Sequence, residues 1–238
     1  MKRAYINLMI TILVVALMIA AILYLMNNSL FTFNLLSTNY LNKTFVYQAT
    51  TLGLSLVIVL ITALQTRFQS LKLLSIKNID GEVIPEPWIG ITKKNKDSWK
   101  TLGRNFTIII SVVTAVAIYF QVYRNGVIQT LTVPIFILIV LFALVNSFVE
   151  EVTFRHTFTS IVEYHNLSPF ISKTLSMIIF GGVHYLGTPG KIPGVILAGF
   201  LAWFLAKSIH ETKGFFWAWL IHFMQDVIIM TALYLTLT

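Results

Sequence analysis

Apolar residues in this chain come in long unbroken runs separated by polar intervals, not at the every-third-or-fourth spacing of a half-buried soluble helix. Runs of about 17 to 25 apolar residues are the length of a bilayer crossing, and the chain offers them near 4 to 26, 45 to 65, 106 to 123, 130 to 149, 170 to 187, 192 to 209 and 215 to 236. The pattern predicts an all-α fold, a polytopic membrane helical bundle of about seven transmembrane helices. The first run follows Met1, Lys2 and Arg3 but is too long for the apolar region of a signal peptide, and no small-residue cleavage site follows it. A retained first helix is the expectation.

The polar intervals divide the chain. Asn27, Asn28, Asn34, Asn39 and Asn42 crowd between the first two runs, which read as scaffold. From Thr66 to Asn105 lies a long polar stretch whose Asp80-Gly81 and Pro85-Glu86-Pro87 mark turns. It is expected to be a solvated loop on the membrane surface, with Trp88 and Trp99 at headgroup depth; a partner-binding loop is the alternative. Residues 1–105 thus form an N-terminal hairpin plus basic loop, and 106–238 a transmembrane core. The fourth run continues without a helix breaker from Glu150 to Tyr164, then turns near Leu167 into the fifth. At that hairpin tip Arg155, His156, Glu163 and His165 are expected to protrude. His156, His165 and His210, read as tip or loop residues, receive no role.

Composition agrees: 57% of the residues are hydrophobic, 11% are charged and the mean hydropathy is +0.81, outside the range of soluble domains. With the N-terminus cytoplasmic, fourteen of the 17 lysines and arginines fall inside and only Lys43, Arg124 and Lys191 outside. That asymmetry is the positive-inside pattern of a multi-pass cell-membrane protein. It accounts for the net charge of +8 without nucleic-acid binding. The chain has no cysteine, which removes disulfides, thiolate metal sites and a cysteine nucleophile.

The candidate chemistry sits where ionisable residues enter apolar runs, a placement costing about 2.5 kcal/mol or more per group and retained for function. Glu150 and Glu151 end the fourth run, with Arg155 four residues on; His184 lies in the fifth, and His222 and Asp226 in the last. Glu150 lies 17 residues before Leu167 and His184 17 after it, so antiparallel helices rising about 1.5 Å per residue set both at one height. Glu151 and Arg155, at i and i+4, read as a structural ion pair, with snorkelling of Arg155 to the headgroups as the alternative. Glu150, turned about 100° away, is left as the working carboxylate. His222 and Asp226 share a helix face. Gly181 and Gly182 allow close helix packing or leave room for a substrate. A carboxylate and an imidazole can activate water, and a second imidazole can stabilise the oxyanion of an attacked carbonyl. No cofactor is expected. Zinc held by Glu150, His184 and His222 is the second choice, since no His-Glu-x-x-His run is present.

Glu-Glu-x-x-x-Arg at 150 to 155, Phe-x-x-x-His at 180 to 184 and His-x-x-x-Asp at 222 to 226 resemble the three motifs of the CPBP intramembrane peptidases. That family takes in type II CAAX prenyl endopeptidases and bacterial Abi or bacteriocin-immunity proteins. The resemblance implies a glutamic endopeptidase with its active site between the fourth, fifth and seventh helices. Glu150 and His184 would activate water, and His222 with Asp226 would form the oxyanion side. Prenyl-processing relatives carry Asn at the last position; Asp226 can take that place only as a protonated acid or by orienting His222. A membrane-associated peptide or protein is the expected substrate, the bilayer the expected partner, and peptide processing or bacteriocin immunity the expected setting. A non-proteolytic membrane scaffold binding a protein partner, and an ion-coupled carrier, are the competing classes.

Overall fold

The computed structural model describes residues 2–92, 98–122, 126–127, 129–188 and 190–236. Lys93, Lys94, Lys96 and Arg124, which entered the charge asymmetry, lie outside the described residues. The described residues form eight α-helices: α1 (Lys2–Leu25), α2 (Asn39–Gln65), α3 (Trp99–Gln121), α4 (Val133–Glu151), α5 (Thr157–Tyr164), α6 (Pro169–Val183), α7 (Lys191–Thr212) and α8 (Phe216–Leu235). The described residues contain no strand, only two isolated bridges, Glu82 with Ser98 and Glu86 with Ile91.

Among the described residues six helices are long and apolar enough to cross a membrane, with α4 and α5 counted as one continuous helix from Val133 to Tyr164. The fifth expected span is shorter than the sequence suggests. Residues 170 to 187 form the 15-residue α6 and a 3₁₀ turn, His184–Leu186. At about 1.5 Å per residue α6 covers about 22 Å, short of the ~30 Å hydrocarbon core. It ends at Val183, so His184 is half-buried at the helix terminus, with Tyr185 and Leu186 exposed just beyond it.

The α4 to α5 helix carries a π turn at Val152–His156, immediately after the two glutamates. The wider turn leaves carbonyls to be satisfied by side chains: Thr157 Oγ1 donates to the Val152 carbonyl (2.7 Å), and Ser176 Oγ on α6 donates to that of Phe154 (2.7 Å). The turn back into α6 places Asn166 at φ 50°, a conformation Asn tolerates, before Ser168 and Pro169 start α6.

Helix α7 is the centre of the bundle, 67% buried against at most 33% for the other spans. It packs on α6, and α3 and α4 both pack on α8. Gly181 permits the α6 contact, since a Cβ there would lie 2.8 Å from the Val195 carbonyl and 3.2 Å from Gly199 Cα. A Cβ on Gly182 would meet nothing within 4 Å. Of the two readings for this pair, close packing holds for Gly181.

The stretch from residue 66 onward is not a solvated loop. It docks across one end of the bundle, with Leu73 and Ile91 buried in the same core cluster as Trp203, Phe204, Phe215 and Trp217. Trp217 Nε1 donates to the Ile79 carbonyl (2.7 Å), Asn78 Nδ2 to that of Lys213 (2.8 Å), and the buried Lys207 to that of Ile84 (2.6 Å) and to Glu211. Trp99, expected at headgroup depth, is instead fully buried and donates to Glu211 (2.8 Å), whereas Trp88 stays exposed. Burial pushes the Glu86 carboxyl up, but hydrogen bonds from Lys173 (3.0 Å) and Trp88 (2.9 Å) outweigh it and hold the group below its ordinary range.

Two further readings change. Arg155 and His156, expected at a protruding tip, are fully buried in the π turn, where His156 Nε2 lies 3.0 Å from the Ser70 carbonyl. His210, expected in a loop, is buried in α7, with Nδ1 2.6 Å from Glu163 and Nε2 2.6 Å from Ser172 Oγ. This contact ties α5, α6 and α7 together.

Candidate active site

The two glutamates emerge where two cores meet: Val149 belongs to a cluster with Phe154, Phe158 and Phe180, and Val152 to the one around Phe204 and Trp217. Being successive residues, they face different surroundings. The Glu151 side chain is sealed at 0% exposure, and the Glu150 side chain keeps 19%.

Glu151 Oε1 lies 3.2 Å from Arg155 Nη1 and accepts from His222 Nδ1 at 2.7 Å. Its expected pairing with Arg155 is present, and a second one, to His222, was not foreseen. Arg155 does not snorkel. Its guanidinium carbon sits 3.6 Å above the Phe180 ring centroid, where the ring face attracts the cation. Phe180 is a hub: its centroid lies 4.1 Å from that of His184 and 5.7 Å from that of His222.

Glu150 is held by both oxygens. Oε2 is 3.3 Å from His222 Nε2, and Oε1 accepts from Asn146 Nδ2 at 3.2 Å. The same Asn146 nitrogen donates to Asp226 Oδ2 at 3.0 Å, and Asp226 Oδ1 lies 3.7 Å from His222 Nε2. Gln48 on α2 donates to Asn146 Oδ1 at 3.2 Å. His184 stands apart from this ring; its Nδ1 donates to the Phe180 carbonyl at 3.1 Å, which leaves Nε2 available to a ligand.

Glu150, His184, His222 and Asp226, drawn from three separated motifs, all line one cavity of about 750 Å³. Its walls are otherwise mostly apolar, with Ile22, Ile110, Leu201 and Ile229 among them, and Asn27, Lys43 and Gly187 lie at the end where α1 and α2 are joined. The cavity thus combines apolar walls with acid, amide and imidazole groups from α4, α8 and the turn after α6. Among the described residues no three His, Asp or Glu side chains are grouped so as to hold a metal ion; the donor set named for zinc is not assembled as ligands.

Gln48 and Asn146 were missed, and the scaffold reading of α1 and α2 was too simple, since both helices supply cavity wall. Asn146 could have been found: it is polar inside an apolar run and four residues before Glu150, so it shares a helix face with it. Nothing in the local sequence of Gln48 marks it, because its partner lies 98 residues away.

Residues 130–228 match the family model described as Type II CAAX prenyl endopeptidase Rce1-like. No curated protein and no solved structure matches the chain. The family match agrees with the resemblance read from the motifs, takes in Asn146, Glu150, Glu151, Arg155, Phe180, His184, His222 and Asp226 but neither Gln48 nor the cavity wall from α1 to α3, and supports a CAAX-type intramembrane protease.

Proposed function

We propose that the protein is a glutamic intramembrane endopeptidase that hydrolyses a peptide bond in a membrane-associated peptide or protein. The observation that carries this reading is the difference between the two glutamates: Glu151 is sealed against Arg155 and His222, and Glu150 is exposed to the cavity that His184 also lines.

In the proposed reaction, water bound between Glu150 and His184 gives a proton to the Glu150 carboxylate as its oxygen attacks the scissile carbonyl carbon. His222, oriented by Glu151 through Nδ1, stands with Asp226 on the side where the carbonyl oxygen gains negative charge. The tetrahedral intermediate collapses by breaking the carbon–nitrogen bond, and the proton held by Glu150 passes to the leaving amine. No covalent enzyme intermediate is required. The biological setting we propose is processing of membrane-bound peptides or bacteriocin immunity, in the cell membrane with the N-terminus cytoplasmic.

The test is cleavage of a membrane-peptide library by purified protein in detergent, read by mass spectrometry with and without a chelator. Products that form in wild type and survive chelation, but vanish in Glu150→Ala and His184→Ala, support the proposal. Loss on chelation with recovery on adding Zn²⁺ would replace it with a metal mechanism. An active-site variant that kept its full biological effect in cells would favour the scaffold.

A further inference from the structure

Asn146, Glu150, His222 and Asp226 form a closed ring across two helices. Asn146 and Glu150 are i and i+4 on α4, and His222 and Asp226 are i and i+4 on α8. Going round, Asn146 Nδ2 donates to Glu150 Oε1 (3.2 Å), Glu150 Oε2 meets His222 Nε2 (3.3 Å), His222 Nε2 faces Asp226 Oδ1 (3.7 Å), and Asp226 Oδ2 accepts from Asn146 Nδ2 (3.0 Å). Two acids alternate with two groups that can donate. Both carboxyls use one oxygen for the imidazole and the other for the amide.

The amide orientation is fixed by its surroundings. With Oδ1 turned to the carboxyls, three acceptor oxygens would face one another; with Nδ2 there, each amide hydrogen finds one carboxyl. Gln48 Nε2, donating to Oδ1 from α2 at 3.2 Å, holds that orientation from behind. Gln48 is itself buried, at 4% exposure. Without the amide, Glu150 and Asp226 would present like charges to each other across α4 and α8, and Glu150 Oε1 would lose its only described donor.

We infer that Asn146 is a positioning residue of this site: its amide, set by Gln48, fixes the Glu150 and Asp226 carboxyls around His222 so that Glu150 meets the substrate water in one geometry. The inference rests on the proteolytic reading for its effect on turnover, but the ring itself can be tested without it. Substrate binding draws on the apolar walls, so losing the amide alters the reacting geometry and leaves binding in place.

The experiment takes full-length wild type, Asn146→Leu, Asn146→Asp and Asn146→Asp/Asp226→Asn in detergent micelles. Turnover of a cleaved membrane peptide is measured beside the ring-nitrogen resonances of His222 in ¹⁵N-histidine-labelled protein, assigned through His222→Asn. The expected result for Asn146→Leu is a kcat lower by about 10- to 100-fold with KM changed less than about threefold, since small misplacement acts on the reacting geometry, and a displaced His222 resonance. Asn146→Asp gives the same loss, and adding Asp226→Asn, which returns one amide to the ring, recovers about tenfold of it. A kcat within about twofold of wild type, or an unmoved His222 resonance, overturns the inference. If Asn146→Leu does not fold, the near-isosteric Asn146→Asp carries the same comparison. Wild type that cleaves no peptide would count against the proteolytic reading, and the His222 resonance would still decide the ring.

Discussion

Arg155 shows how one residue's environment turns a motif position into structure. Its guanidinium is fully buried, 3.2 Å from Glu151 and stacked 3.6 Å above Phe180. A buried ion pair adds little net stability, but breaking it by removing one partner leaves an uncompensated charge. Glu151→Gln is therefore expected to destabilise the protein by about 3–5 kcal/mol, read as a lowered thermal midpoint in detergent. Glu150→Gln, whose side chain borders the cavity and has no arginine partner, is expected to leave the midpoint nearly unchanged. Equal effects of the two substitutions would contradict the division of labour between the glutamates.

Among the elements, α6 carries two adjacent glycines with opposite demands. Gly181→Ala forces the new Cβ against the α7 backbone, 2.8 Å from the Val195 carbonyl, and is expected to cost about 1–3 kcal/mol through overpacking. Gly182→Ala meets open space and is expected to stay within about 0.5 kcal/mol of wild type. Chemical denaturation of the two variants side by side checks this. The docked segment that includes Glu86 responds to pH. Its carboxyl is held low in the folded state by Lys173 and Trp88, so its contribution is full above roughly pH 5 and is lost as pH falls through the lowered value. Hydrogen exchange in residues 79–92 should accelerate as the pH is lowered toward 4, after correction for intrinsic rates, and Glu86→Gln should show the faster exchange already at neutral pH. The long helices and the meeting of Glu150 and His184 along one cavity were legible in the sequence, because run length and distance from the hairpin turn fix them. The docking of residues 66 to 92 was not, since it depends on long-range contacts such as Trp217 to Ile79 and Lys207 to Ile84, which leave no local pattern. Polar composition there reads as solvated although Asn78, Ile84 and Ile79 bond across to α7, α8 and the turn between them. The short α6 was equally hidden: its apolar run looks long enough to span, but the 3₁₀ turn at His184 ends it early.

Across the molecule, Lys43 borders the cavity, and most of the other lysines and arginines fall in the segments read as cytoplasmic. Asn27, Ser29 and Lys43, from the α1–α2 connection and the start of α2, line the cavity, and Lys72 and Lys77 lie in the docked segment that follows the other end of α2. If the basic end is cytoplasmic, the cavity opens outward. The absence of cysteine makes this directly testable. Ser29→Cys is expected to react with a membrane-impermeant maleimide in intact cells, and Lys77→Cys only after the membrane is opened; the reverse pattern would invert the topology. The central claim remains that Glu150 takes the proton of the attacking water. Its most direct test is the turnover of Glu150→Gln on a peptide that wild type cleaves, because the carboxamide keeps the shape and the hydrogen-bonding reach of the side chain but cannot act as the base. The expected kcat is lower by about 10²- to 10⁴-fold, with KM nearly unchanged and the fold intact. A folded Glu150→Gln that cleaves at the wild-type rate would contradict it.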